Sequence, residues 1–163
     1  MLFLLFQLGQ DRYALEASRV VEMVPLLALR RLPHAPRGVA GFFNYRGKLV
    51  PAVDLSELTL GQSAAERLST RIFIVNFAAP DGHSHLLGLI AEHATEMLRA
   101  DSASFIEHGV KLGAAPYLGP VLLDPKGPIQ WLYEERLLAE PVRKLLFAGN
   151  GFEQVNVNSD AAC

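Results

Sequence analysis

The chain has a single cysteine, Cys163, at its last position, so no disulfide can form within it and a cysteine-built metal cage is excluded. It has little net charge: 15 Lys and Arg against 17 Asp and Glu leave −2 at pH 7, and the basic residues are scattered. A nucleic-acid binder that relies on phosphate attraction gathers Lys and Arg on one face, which argues against that class. Long apolar runs are also missing. The opening MLFLLF stops at Gln7, lacks a basic flank and falls far short of the roughly 20 residues that span a bilayer, so it reads as a buried strand. A reducing cytoplasm, with no direct membrane insertion, is the expected compartment.

Catalytic signatures are absent in the same way. There is no G-x-S-x-G elbow, no Gly-Lys phosphate loop, no H-E-x-x-H and no Cys-His pair in a suitable setting. The expectation is a protein that is not an enzyme and holds neither cofactor nor metal. His83 and His85 form an H-x-H pair, but only Asp81 stands near them, and a solvated turn over 80–85 is the better reading. His93, between Glu92 and Glu96, is expected at the surface.

What is present is material for one compact domain. Half of the 163 residues are hydrophobic and one fifth charged, outside the disordered range, and a domain of this size buries roughly 68 to 70% of its unfolded surface. The domain is expected over 1–148, with 149–163 too polar to bury and so a loose tail.

Short apolar stretches alternate with Gly and Pro turns along most of the chain. Residues 2–8 and 12–15 flank Gly9, Gln10 and Asp11 as a hairpin, 20–24 forms a third strand stopped by Pro25, and 71–77 with 86–90 forms a second hairpin. Residues 117–123 and 129–133 flank a turn at Asp124, Pro125, Lys126 and Gly127. A further piece runs through 95–99, a capped turn lies at 101–105, one helical turn is expected at 56–60, and 134–147 reads as helix with a break or new start at Pro141. The fold class is all-β with a C-terminal helix, and the strand groups before and after 61–70 suggest two small barrels.

The segment GVAGFFNYRGKLVPAVDL at 38–55 is the most informative. Val39, Gly41, Phe43 and Tyr45 alternate with Ala40, Phe42, Asn44 and Arg46, placing the large apolar side chains on one face and the polar pair on the other. Gly47 allows a tight turn and Asp54 closes the return strand at a helix start. One arginine is left at the bend.

Four stretches carry a resemblance: FQLGQDRYALEASRVVEM; LPHAPRGVAGFFNYRGKLVPAVDL; RIFIVN with LLGLIAEHATEM; and YLGPVLLDPKGPIQWLYEERLL. In order and spacing, over about residues 2–140, the chain resembles the CheW-type chemosensory coupling proteins, most strongly at Pro36, Gly41, Asn44, Arg46, Gly47, Pro51 and Asp54. The resemblance implies two intertwined five-stranded SH3-like β-barrels and a non-catalytic adaptor. Its implied partners are the cytoplasmic tip of methyl-accepting receptors, the regulatory domain of a CheA-type histidine kinase, and further CheW-like proteins in a membrane-associated array. Tyr45 where the family commonly has Leu, Ala91-Glu92 for Val-Asp, and Trp131-Leu132-Tyr133 in the last strand are departures. They suggest a divergent paralogue serving an alternative array.

The resemblance also implies a receptor-binding set: Val20, Glu22, Gly41, Asn44 and Arg46, with Ile72 and Leu87 as further groove residues. Arg46 leads it, because a guanidinium at a bend offers five donors and grips a carboxylate bidentately. From spacing alone it is an exposed charge contributing roughly 0 to 1 kcal/mol to stability. A Glu22–Arg46 ion pair is expected to preset its direction. The bland readings are core for Val20, Ile72 and Leu87, close strand packing for Gly41 and turn hydrogen bonding for Asn44. The kinase-facing surface is expected to be an apolar strand edge or barrel rim, its residues unassigned; of Phe42 and Phe43, at least one must be core. The competing reading is a stand-alone small β-barrel that binds a peptide or ligand.

Overall fold

The computed structural model describes residues 1–78, 82–109 and 113–147. The tail expected at 149–163, with Cys163, lies outside the described residues, as do Pro80 and Asp81 of the expected turn.

The expected hairpins form. β1 (Leu2–Leu8) pairs antiparallel with β2 (Asp11–Glu16), and after a 3-10 turn at Ala17–Arg19 comes β3 (Val20–Pro25). β4 (Val39–Tyr45) and β5 (Lys48–Asp54) make the central hairpin. Asp54 then caps α1 (Leu55–Leu60) by accepting from the N–H groups of Ser56 and Glu57, and Gly61 ends the helix at φ 78, a left-handed conformation that glycine adopts without strain. β6 (Arg71–Ala78) and β7 (Ser84–Arg99) follow, then β8 (Leu118–Asp124) and β9 (Gly127–Leu132). The pieces expected at 86–90 and 95–99 are thus one strand of 16 residues. The helix expected over 134–147 is broken into a 3-10 turn at Glu134–Arg136 and α2 (Glu140–Phe147), whose first turn holds Pro141, where a missing N–H is tolerated.

β7 turns these strands into two barrels. Its first half pairs antiparallel with β6, Phe73 opposite Leu89, and parallel with β5, Val53 opposite Leu89. Its second half pairs with β1, Leu4 opposite Met97. The switch occurs at an irregular step between Glu92 and Glu96, where His93 sits at φ 50. One barrel is therefore β3-β6-β7-β5-β4 and the other β7-β1-β2-β9-β8. Each closes through one isolated bridge, Arg30 to Phe42 in the first and Ile106 to Val121 in the second. This is the pair of intertwined five-stranded SH3-like barrels that the resemblance implies. The division at 61–70 suggested by strand spacing is corrected, since the second barrel draws strands from both ends of the chain.

The apolar runs are explained by burial on both faces of a strand. In β6, Ile72 and Ile74 fill the first barrel with Phe43, Val50 and Ile90, while Phe73, Val75 and Phe77 point into the core between the barrels. β1 divides likewise: Phe3 and Leu5 line the second barrel with Phe105 and Ile129, and Leu4, Phe6 and Leu8 join the central core. Each such side chain contributes roughly 1.5–3 kcal/mol when fully buried. α2 covers one side of the central core through Leu146 and Phe147, and Arg143 Nη2 donates to the Ala78 carbonyl at 3.0 Å.

Candidate functional site

The β4–β5 turn has positive φ at both central residues, 51° at Arg46 and 83° at Gly47, with Tyr45 paired to Lys48. A two-residue loop of this kind matches the twist of its strands and projects the first residue outward. Asn44 Oδ1 accepts from the Gly47 N–H at 2.8 Å and holds the turn. Arg46 stands 74% exposed at the tip.

Across the barrel closure, the edge strand β3 brings Glu22 to this tip. Arg46 Nη2 donates to Glu22 Oε2 at 3.0 Å, so the expected ion pair is present. Tyr45, expected on the apolar face of β4 and a departure from the family's usual Leu, also donates its hydroxyl to the same Glu22 oxygen. Its ring is buried among Phe43, Val50 and Ile74, and the Arg46 guanidinium lies 5.2 Å from the ring centroid. The Glu22 hydrogen bond, with burial, raises the Tyr45 phenol above its ordinary value, against a smaller opposing effect of Arg46. The signal available in sequence was a hydroxyl-bearing aromatic at a strand end beside the tip arginine. Val21 and Met23, on either side of Glu22, are exposed apolar residues that sequence reasoning also passed over.

The remaining members of the expected set divide. Val20 is half-buried against the central core. Gly41 is buried at φ 143, and a Cβ there would collide with the Arg30 carbonyl at the closing bridge, so close strand packing requires glycine here. Ile72 and Leu87 are both 0% exposed and are corrected: the alternation of β6 and β7 turns them inward, Ile72 into the first barrel and Leu87 into the central core, leaving no side-chain surface for a partner. Phe43 is core and Phe42 half-buried. The expected solvated turn is corrected at His85, which β7 includes and which lies buried, stacked 4.9 Å from the Phe147 ring.

Two other surface features stand out. Leu123 and Ile106 are exposed beside Val121 at the rim of the second barrel. A cavity of about 180 Å³ lies between β5, the β6–β7 hairpin and Phe147, lined by Lys48, Val50, Asn76, His85 and Leu86 among others. Among the described residues no group of three or more His, Cys, Asp or Glu could hold a metal ion, and no helix is long and apolar enough to cross a membrane.

The double barrel thus carries an exposed arginine, paired with Glu22, at the tip of the β4–β5 hairpin. The CheW-like domain model matches residues 2–142, and the chain belongs to that family. It is 30% identical over 96 residues to chemotaxis protein CheW of Klebsiella aerogenes, a match that covers 55% of this chain and 58% of that protein. It is 29% identical over 98 residues to chemotaxis protein CheW of Helicobacter pylori, covering 60% and 56%. The chain thus spans less than two thirds of the length of these curated relatives. The crystal structure of the scaffolding protein TtCheW from Thermoanaerobacter tengcongensis shares the fold, with a TM-score of 0.73 at 23% identity over 85% of this chain and 87% of that one.

Proposed function

We propose that this chain is a non-catalytic chemosensory adaptor that couples methyl-accepting receptors to a CheA-type histidine kinase in cytoplasmic, membrane-associated arrays. The observation that carries the reading is Arg46, held at an exposed hairpin tip by Glu22, in a domain of the CheW-like family. The receptor tip docks at Arg46, Glu22, Asn44 and the neighbouring Val20, where Arg46 keeps donors free for a helix-borne acceptor. The kinase regulatory domain and further CheW-like proteins meet apolar rims such as Ile106 and Leu123. Receptor state reaches the kinase only through a difference in binding free energy between kinase states, a task suited to stiff barrels.

The stand-alone ligand module is the weaker reading, since the CheW-like domain model matches residues 2–142, nearly all of the described chain. The test is a quantified affinity for a purified receptor-tip fragment and for a kinase regulatory domain, with wild type and Arg46→Glu compared. Loss of receptor binding alone in the folded variant is the expected result. Equal receptor affinity in both proteins rejects the assigned role of Arg46, and binding of neither partner rejects the adaptor reading.

A further inference from the structure

We infer that Tyr45 is a positioning residue of the hairpin site: its hydroxyl fixes the Glu22 carboxylate, and the fixed carboxylate sets the direction in which Arg46 meets a partner. The inference rests on the docking role proposed for Arg46 and adds to it a residue outside the expected receptor-binding set.

An isolated surface pair between Arg and Glu is weak, because two long side chains must be ordered in high dielectric. Here the acceptor is not free to wander. The Tyr45 ring is enclosed by the first barrel's core, with Phe43, Val50 and Ile74 in the same cluster, so its hydroxyl emerges at the rim in one place. Glu22 Oε2 receives both that hydroxyl and Arg46 Nη2. The two residues that donate to it are adjacent in sequence but differ in kind, one anchored in the core and one carried by the turn. Arg46 is constrained from three sides: by its backbone at φ 51, by the Glu22 oxygen, and by the Tyr45 ring face 5.2 Å beneath the guanidinium. Leucine at position 45 would fill the same core space and supply neither the hydroxyl nor the ring face.

Tyr45→Phe separates these effects, since it keeps the packing and the ring face and removes only the hydroxyl. In the free full-length chain, the Arg46 Nε–Hε resonance is expected to move toward the position of a solvated arginine in Tyr45→Phe, and in the same direction in Glu22→Gln. Receptor-tip affinity is expected to fall about three- to tenfold in Tyr45→Phe, with no further loss when the change is made in the Glu22→Gln background. Unchanged thermal unfolding shows that the variant is folded; should it unfold early, the Tyr45 phenol titration in Glu22→Gln decides, a downward shift supporting the contact and no shift overturning it. An unmoved Arg46 resonance in folded Tyr45→Phe overturns the inference, as does a moved resonance with unchanged receptor-tip affinity. If wild type does not bind a receptor tip at all, the docking reading fails, and the resonance still decides whether Tyr45 holds Arg46 through Glu22.

Discussion

Gly88 of β7 lies directly against the ring of Phe43 of β4: a Cβ at Gly88 would come within 2.5 Å of Phe43 Cε1 and 2.9 Å of Ile72 Cγ2. The first barrel closes on its own core here with no room for one more methyl group. Gly88→Ala is expected to cost about 1–3 kcal/mol through overpacking, seen as a lower urea midpoint at unchanged slope. An unaltered midpoint would show that Phe43 has a second rotamer available.

Arg19, in the turn that leads from β2 to β3, pairs with the buried carboxylate of Glu134 just after β9. Burial raises the Glu134 carboxyl above its ordinary value and Arg19 opposes the rise. Arg19→Met leaves a buried carboxylate without its cation and is expected to destabilise by about 2 kcal/mol, below the usual figure for fully buried pairs because Arg19 is half-exposed. A raised folded pKa favours the protonated form, so part of the loss should be recovered as pH falls. Thermal melts at pH 5 and 7 check both points.

Asp124 closes the β8–β9 turn, accepting from Arg12 Nη1 at 2.8 Å and from the Lys126 N–H at 3.1 Å. Arg12 first, and then that backbone bond, holds its carboxyl below the ordinary range. A depressed folded pKa contributes stability above the unfolded value of about 3.9 and loses it as pH falls through the lower folded value. The stability gap between wild type and Asp124→Asn should therefore be widest near neutrality and shrink in acid. A constant gap from pH 7 to 2 would contradict this.

Asp54 serves three backbone donors, Ser56, Glu57 and Ala64, and so ties α1 and the following loop to the end of β5. Asp54→Ala is expected to cost about 2 kcal/mol, the upper end for a lost helix cap, because three donors are orphaned at once, that of Ser56 buried and those of Glu57 and Ala64 part-buried. Hydrogen exchange at the amides of Ser56 and Ala64 should rise well above that in the β4–β5 strands.

Much of this architecture was legible locally. Gly47 after Arg46, and the alternation from Val39 to Tyr45, mark a hairpin whatever surrounds it, because turn geometry and side-chain direction depend on neighbours in the chain. Of the candidate site, Arg46, Asn44 and Glu22 stand where a tip and its ion pair were expected. Ile72 and Leu87 entered the groove set through the resemblance alone, and both lie in the core, the other reading given for them, because both faces of β6 and β7 are covered.

The sequence by itself determined most of the strands, the β4–β5 turn and the exposed arginine, all set by contacts only a few residues apart. The tertiary structure alone decided which barrel each strand joins, that β7 serves both, that Phe147 of α2 covers His85, and that Tyr45 shares Glu22 with Arg46. Those relations join positions 23 residues apart at Tyr45 and Glu22 and 112 apart at Arg12 and Asp124. No local rule reaches that far; closure of both barrels around a common core brings them together.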